Sequence, residues 1–275
     1  MSPDPLLLSL NTATVRKQWT LAQAIEGCAR HGIRGIAPWR DKVAELGLKK
    51  SASLIKSHDL TVTGLCRGGF FTAKDWLDDN RRAIEEAHEL NAQCLVLVVG
   101  GLPSGSKDLF SARENIKESI SRILPIARAA NIPLAIEPLH PMQAAERACV
   151  NTLEQALDIC DALGDDGRSA QCALGVAVDV YHAWWDPKLE QQIKRARNRI
   201  LAYHICDWLV PTRDLLNDRG MMGDGVIDLP RIRSWVEGAG YSGFHEVEIF
   251  SELDWWRRDP EEVLRTCKER FLSAS

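Results

Sequence analysis

The sequence lacks the features that mark membrane, secreted and nucleic-acid-binding proteins. Nowhere do apolar residues run uninterrupted for the roughly 18 positions of a membrane helix, so we expect no membrane span. The N-terminal stretch MSPDPLLLSLN has no basic segment ahead of its short apolar run, which argues against a secretory signal. The net charge of −4 gives no electrostatic basis for binding nucleic acid or an anionic membrane.

Eight cysteines are present, but they lack the C-x-x-C spacing of metal and redox sites. Most of them fall inside apolar segments of the sequence. Disulfides belong to oxidising compartments, whereas scattered cysteines in apolar segments are typical of reduced thiols in a protein core. We therefore expect a cytoplasmic protein.

No linker rich in proline, glycine or serine divides the 275 residues, and short apolar runs alternate with amphipathic segments along them. The runs lie at 6–11, 33–39, 61–66, 94–100, 133–137, 174–179, 200–205 and 245–250. Several are almost continuously apolar, which is typical of parallel strands covered on both faces. The pattern predicts an α/β fold, a (β/α)8 TIM barrel forming a single domain over residues 1–275. A doubly wound open sheet is the alternative, although no G-x-G-x-x-G follows an early strand.

Helix boundary signals support this alternation. Thr20 with Gln23 is a capping-box pattern ahead of LAQAIEGCARHG, and Gly32 is a suitable C-terminal stop. Thr152 with Gln155 repeats the capping pattern. Further helices are predicted at 41–57, 74–90, 110–129, 187–196 and 229–238, and after the potential cap Asp259.

Chemically active side chains lie on or just after the last four apolar runs. They are Glu137, His140, Asp179, His182, His204, Glu246 and Glu248. In a (β/α)8 barrel the carboxyl ends of the strands meet at one rim, where active sites lie. Taken singly, each acid fits a helix cap or a solvated loop, and His204 fits a hydrogen-bonded core residue. Because buried carboxylates are costly unless they are paired or bind metal, their convergence favours a functional site.

Two glutamates compete on the last run, because Glu246 and Glu248 point to the same face of a regular strand. Glu248 is closer to the rim, and we expect it to belong to the site.

Three carboxylates and one imidazole suit Mn²⁺, Mg²⁺ or Co²⁺ better than structural Zn²⁺, which prefers cysteine and histidine. Such an ion can polarise a carbonyl and its neighbouring hydroxyl, and two flanking glutamates can remove and return a carbon-bound proton.

Five segments resemble, in strand order, the xylose isomerase-like TIM barrels: AIEP, GVAVDVYH, AYHICD, GDGVIDLP and GYSGFHEVE. This superfamily of sugar isomerases and epimerases also contains the apurinic-site endonucleases, and the resemblance covers nearly the whole chain. It implies one divalent ion, for which we expect Mn²⁺, with Mg²⁺, Co²⁺ and Zn²⁺ as alternatives. The matching ligands are Glu137, Asp179, His204 and Glu248, the two glutamates also being the catalytic pair. The resemblance further implies substrate contacts from His182 and from Arg213 in the loop after strand seven.

The sequence departs from two groups within this superfamily. Ketose 3-epimerases usually carry an Asn-Arg pair and a second Glu after the strand-five Glu, where this chain has EPLHPMQ with His140 and Gln143. The endonucleases need additional histidines on strands two and three, where this chain has Trp39, Arg40 and Arg67. A trinuclear zinc cluster therefore cannot be assembled.

We predict a metal-dependent enzyme that isomerises or epimerises a sugar or keto-sugar through an enediolate. His140, Arg67 and Trp39 are further candidates for substrate contact, although packing under loops or pairing with a rim acid explains Trp39 and Arg67 equally well. A lyase or dehydratase acting on a keto-sugar or inosose is the alternative enzyme, because it begins with the same proton abstraction. A non-catalytic sugar-binding barrel, or a subunit of a larger enzyme, is the alternative without catalysis. We also expect a homo-oligomer.

Overall fold

The computed structural model describes residues 3–165 and 172–275. Its strands are β1 Leu8–Asn11, β2 Gly35–Ala37, β3 Thr61–Val62, β4 Leu65–Gly69, β5 Leu95–Val98, β6 Leu134–Ile136, β7 Leu174–Asp179, β8 Ile200–Ile205, β9 Asp207–Trp208, β10 Arg219–Gly220 and β11 His245–Val247. Its α-helices are α1 Leu21–His31, α2 Arg40–Leu46, α3 Leu48–Ser57, α4 Trp76–Glu89, α5 Leu109–Ala129, α6 Leu153–Ala162, α7 Val180–Ala183, α8 Leu189–Ala196, α9 Leu229–Gly238 and α10 Pro260–Ala274. Short 3-10 helices cover Pro5–Leu7, Thr12–Val15, Pro141–Gln143, Arg197–Arg199 and Trp255–Arg257.

The main sheet has the order β3-β2-β1-β11-β8-β7-β6-β5-β4, and its neighbouring strands are parallel. The predicted third strand is split at Thr63 and Gly64 into β3 and β4, which form the two edge strands of the sheet. Thr63 N–H donates to Ile36 O and Leu65 N–H donates to Cys94 O, each at 3.0 Å. The split strand therefore joins the two edges, and the predicted (β/α)8 TIM barrel is confirmed.

Small side chains fill the barrel interior next to the strand ends. One cluster consists of Cys66, Cys94, Val96, Ala135, Ala177 and Ala202, separate from the larger apolar core between sheet and helices. Because side chains alternate along a strand, the residues two positions beyond the three alanines also point into the barrel. Those residues are Glu137, Asp179 and His204.

Both predicted capping patterns are present in the structure, but only the first forms a complete capping box. Thr20 Oγ1 accepts a hydrogen bond from Gln23 N–H, and Gln23 Oε1 accepts one from Thr20 N–H at 2.9 Å, so the capping box of α1 is complete. At α6, Thr152 Oγ1 accepts from Gln155 N–H at 3.2 Å. The Gln155 side chain, however, accepts from Asn151 N–H at 2.8 Å, which leaves the second box half formed.

The prediction of one helix over 41–57 is wrong, because α2 and α3 meet at Gly47. The φ of Gly47 is +93°, which lies outside the helical range. Glycine adopts positive φ values more readily than other residues do. The other predicted helices match α4, α5, α8 and α9 to within about two residues, as boundary assignments usually do. Asp259 caps α10 by accepting from Glu261 N–H at 2.8 Å.

The eight cysteines are free and buried, as predicted for core thiols. Burial raises the pKa of the Cys267 thiol to about 12, so this thiol is protonated at neutral pH. Within residues 3–165 and 172–275, the helices are too short or too polar to cross a membrane.

A matched pair of glycine substitutions tests the packing of β7, the strand that carries Asp179. A Cβ at Gly175 would lie 2.3 Å from Arg199 O, whereas one at Gly238 meets nothing within 4 Å. We expect Gly175→Ala to lower the free energy of unfolding by about 2 kcal/mol through overpacking. We expect Gly238→Ala in α9 to raise it by up to about 0.5 kcal/mol.

Urea denaturation followed by circular dichroism measures both changes. Equal stability of the Gly175→Ala variant and the wild type would contradict the close approach of β7 to the segment before β8.

Candidate metal centre

Four buried side chains converge where β6, β7, β8 and β11 end inside the barrel. They are Glu137, Asp179, His204 and Glu248. One ligand atom from each lies within 4.8 Å of the corresponding atoms of the other three. Paired strands fix this arrangement, since Asp179 lies opposite His204 across β7 and β8, and His204 lies opposite Glu246 across β8 and β11. The structure therefore brings together all four residues predicted as metal ligands.

The ligand atoms approach one another without bonding to one another. His204 Nδ1 lies 2.9 Å from Glu137 Oε1 and 3.9 Å from Glu248 Oε2. Nevertheless, within the described chain neither His204 Nδ1 nor Glu137 Oε1 has a hydrogen-bond partner in acceptable geometry. Buried polar atoms are almost always satisfied, so two such atoms facing one point fit ligands of a cation.

Glu246 lies deeper in the barrel than Glu248 and has a different set of partners. Asn11 Nδ2 donates to Glu246 Oε1 at 2.7 Å, and Thr63 Oγ1 donates to Glu246 Oε2 at 2.9 Å. Glu246 Oε1 also lies 3.4 Å from His204 Nε2, the ring nitrogen that points away from the cluster. Within the described chain His204 Nε2 makes no well-aligned hydrogen bond, so Glu246 acts on this nitrogen as a nearby charge, at the position from which carboxylates orient metal-binding histidines.

Arg219 is a residue of this site that the sequence analysis missed. Its Nη1 donates to Asp179 Oδ2 at 3.0 Å and to Glu248 Oε2 at 2.9 Å, and the whole side chain is buried. The guanidinium carbon lies 4.5 Å from the centroid of the Tyr181 ring. A buried arginine between two carboxylates offsets part of their charge and fixes their positions.

The hairpin that carries Arg219 is held in place by one carboxylate. β10 pairs with β9 in antiparallel register, which turns the loop after β8 back over the barrel end. Asp207 accepts hydrogen bonds from Gly223 N–H at 3.0 Å, Gly225 N–H at 2.8 Å and Ile227 N–H at 3.0 Å. Asp207 therefore holds the loop that delivers Arg219 to the site.

The charge around His204 is strongly negative. The pKa of Glu248 is raised to about 8, because burial disfavours the charged carboxylate and Glu137 and Asp179 repel it. Burial lowers the pKa of His204, but Glu246 and Glu137 outweigh burial and leave that pKa well above its usual value. The shift of His204 reflects the buried negative charge around it, and that of Glu248 reflects mainly burial; a divalent cation would offset both costs, so the donor set fits a metal ion.

His182 lies beside the cluster and is held as the neutral imidazole. Burial lowers its pKa to about 4. The backbone N–H of His140 donates to His182 Nδ1 at 3.1 Å, so the ring proton is on Nε2. Nε2 lies 3.6 Å from Asp179 Oδ2, whereas its 3.2 Å contact with Arg219 Nη2 brings two N–H donors together and is not a hydrogen bond in this tautomer.

A small cavity adjoins this cluster. Its lining consists of Trp39, Cys66, Arg67, Val96, Val98, Glu137, Leu139, Arg147, His182, Leu216, Arg219, Glu248 and Phe250. A polar floor beneath apolar walls is the usual form of a small-molecule site. The predicted contact residues His182, Arg67 and Trp39 are therefore brought to the cavity.

Two predicted contact residues lie elsewhere. Arg213 is exposed, and both its backbone N–H and its guanidinium donate to Asp218, so the structure gives no support to its predicted substrate contact. Asp218 draws the side chain of Arg213 away, while Arg219 of the same loop enters the site. His140 is half-buried at the rim, where its ring stacks on Trp208 with 5.0 Å between centroids.

Asn11 and Arg147 are also absent from the sequence-based site. Asn11 ends β1, so the strand-end rule applied to the first run would have found it. Its amide donates to both Glu246 and Glu248. Arg147 belongs to the loop after β6, and no pattern in the segment AAERACV indicates that it lines the cavity.

The sequence matches the model of the xylose isomerase-like TIM barrel family over residues 25–267. The chain therefore belongs to this family, which confirms the resemblance noted from its motifs. Inosose isomerase of Bacillus velezensis is 28% identical over 95% of this chain and 94% of the relative.

Two solved structures share this fold. A protein of Sinorhizobium meliloti 1021 is 57% identical, with a TM-score of 0.94 over 98% of this chain and 99% of that one. The IOLI protein with a bound zinc atom is 23% identical, with a TM-score of 0.81 over 100% of this chain and 98% of that one. At that identity, the second likeness supports the fold alone.

We expect millimolar Mn²⁺ or Co²⁺ to raise the melting temperature of chelator-treated protein by about 5 °C, because an ion bound only by the folded state stabilises it. Glu248→Gln should lose most of this shift. The matched control Glu252→Gln, which changes an exposed acid on the same rim, should keep it. Differential scanning calorimetry measures all three proteins, and a wild type that metal does not stabilise would contradict the site.

Proposed function

We propose that the protein is a metal-dependent isomerase or epimerase that acts on a keto-sugar or inosose by proton transfer. The observation that carries this proposal is the buried cluster of Glu137, Asp179, His204 and Glu248, of which the two glutamates line the adjoining cavity. Relatives named inosose isomerase support the reaction class, since one of them aligns over nearly the whole chain. Mn²⁺ is the proposed ion, with Mg²⁺, Co²⁺ and Zn²⁺ as alternatives that metal analysis can separate.

Substrate binding is assigned to the residues around the cluster. A bound divalent ion would polarise the substrate carbonyl and its neighbouring hydroxyl, which acidifies the carbon-bound hydrogen between them. His182 Nε2–H and the Arg219 guanidinium are hydrogen-bond donors that can orient substrate oxygens. The apolar walls, including Trp39 and Phe250, exclude water and can contact the carbon face of a ring.

Glu137 and Glu248 are proposed to move the proton. Both line the cavity and approach the same point from β6 and β11, so one can remove a carbon-bound proton and either can return it. A hydride shift typically has a lysine beside the second hydroxyl. Among the described residues that line this cavity there is no lysine, which favours proton transfer.

Glu248→Gln should lower kcat/KM by roughly a hundredfold or more, as expected for loss of a group that takes part in proton transfer. Glu246→Gln should cost much less, because Glu246 contacts Asn11, Thr63 and His204 and does not line the cavity. Steady-state kinetics with an inosose compares the two variants. An inactive Glu246→Gln enzyme beside a fully active Glu248→Gln enzyme would reverse the assignment.

Turnover of an inosose in deuterium oxide should place deuterium in the product and in recovered substrate. A carboxylate that has taken the proton exchanges it with solvent before returning it, in a cavity open to substrate. Mass spectrometry of both compounds measures the exchange, and chelator-treated enzyme is the control. Unlabelled compounds after many turnovers would indicate a hydride shift, and an ultraviolet-absorbing enone would indicate the lyase alternative.

A further inference from the structure

The mouth of the cavity is positively charged although the protein as a whole carries a net charge of −4. An outer chamber shares Trp39, Arg67, Arg147, Leu216 and Phe250 with the cavity lining, so the two spaces are continuous. The outer chamber adds Arg16 and Lys17 but only one acid, Glu252. A small molecule that reaches the candidate metal centre therefore passes Arg67 and Arg147, which border both spaces.

The cations of this entrance fall into two groups. Arg16 Nη2 lies 2.6 Å from Asp41 Oδ2, and Lys17 Nζ lies 4.0 Å from Glu252. Arg40, just behind Arg67, is held by Asp79 and Glu86. These three cations are already paired with acids.

Arg67 and Arg147 are the other group. Across residues 3–165 and 172–275, Nε of each is buried without a hydrogen-bond partner, and neither guanidinium lies within ion-pair distance of an acid. Arg67 instead packs flat on Phe70, with its guanidinium carbon 3.8 Å from the ring centroid. Burial and, next in size, the positive charge of Arg147 together lower the pKa of Arg67 to about 10. Burial lowers the pKa of Arg147, against the opposing and more distant charges of Glu137, Glu248 and Glu146.

Two half-buried guanidinium groups that repel each other are expensive to hold together unless something anionic meets them. Guanidinium groups bind carboxylate and phosphate through paired N–H donors, which is the commonest use of unpaired arginines beside a cavity. A neutral polyol could accept hydrogen bonds from these groups but would not offset their charge.

We infer that the substrate carries an anionic group, a carboxylate or a phosphate, which Arg67 and Arg147 bind at the cavity mouth while its carbonyl end reaches the metal cluster. This inference rests on the proposed function for the position of the carbonyl. Within the substrate class of the proposed function, it favours keto-sugar acids and phosphates over a neutral inosose, which serves below as a weaker test substrate.

Three matched six-carbon compounds test the inference: sorbitol, gluconate and sorbitol 6-phosphate. Each is measured as an inhibitor of inosose deuterium exchange and, independently of activity, as a stabiliser of the Mn²⁺-loaded enzyme in a thermal melt. We expect at least one anion to act at a concentration about tenfold lower than sorbitol. A stronger effect of gluconate identifies a carboxylate, and a stronger effect of sorbitol 6-phosphate identifies a phosphate.

Arg67→Gln and Arg147→Gln should each weaken the anion effect by roughly tenfold and leave the sorbitol effect unchanged. Arg16→Gln is the matched control, because it removes a cation that Asp41 already neutralises, and it should keep the anion preference. If a glutamine variant does not fold, the salt dependence of wild-type binding serves instead. Sodium chloride should weaken anion binding and leave sorbitol binding unaffected.

Equal effects of sorbitol and both anions on the wild type would overturn the inference, as would equal loss of anion preference in the Arg16→Gln and Arg67→Gln variants. These outcomes are separate from failure of the proposed function. An enzyme that binds the anions in the thermal melt but exchanges no proton would lose the proposed function and keep the anion site.

Discussion

The burial of four carboxylates around one imidazole is the constraint on which this site depends. Glu137, Asp179, Glu246 and Glu248 all reach the barrel end near His204, and ionised side chains are costly in such a place unless cations or hydrogen bonds compensate them. Asn11 and Thr63 satisfy the deeper acid, and Arg219 bridges two of the others. One guanidinium does not balance this charge, and the divalent ion that we propose would supply the rest.

Strand geometry explains why these side chains and Arg219 meet at one point. Alanines at 135, 177 and 202 occupy the layer beneath, so the next inward residues of β6, β7 and β8 have room to converge. The β9–β10 hairpin, anchored by Asp207, then brings Arg219 over the same point. The charge of the cavity lining changes from negative at its floor, where the acids lie, to positive at its mouth, where Arg67 and Arg147 lie without ion pairs. Opposite ends of the cavity thus suit a cation and an anion.

Sequence periodicity was sufficient to predict the barrel and the four converging residues, because a strand that ends on an acid in a parallel barrel can place it only at one rim. It was insufficient for loop residues. Arg213 and Arg219 lie in one loop, and the choice between them depends on Asp218 holding the first and on the hairpin turning the second inward. Arg147 is brought to the cavity by tertiary packing alone. The break at Gly47 was visible as a glycine within a helical pattern and was overlooked.

The central claim is that Glu137, Asp179, His204 and Glu248 hold one divalent ion. An anomalous difference map from a crystal soaked in manganese chloride tests it most directly, because it locates the ion without relying on activity or stability. The account predicts a single strong peak at this barrel end, within bonding distance of His204 and of Glu137, Asp179 and Glu248. A map without a peak there, or with a peak bound by Glu246 in place of Glu248, would contradict it.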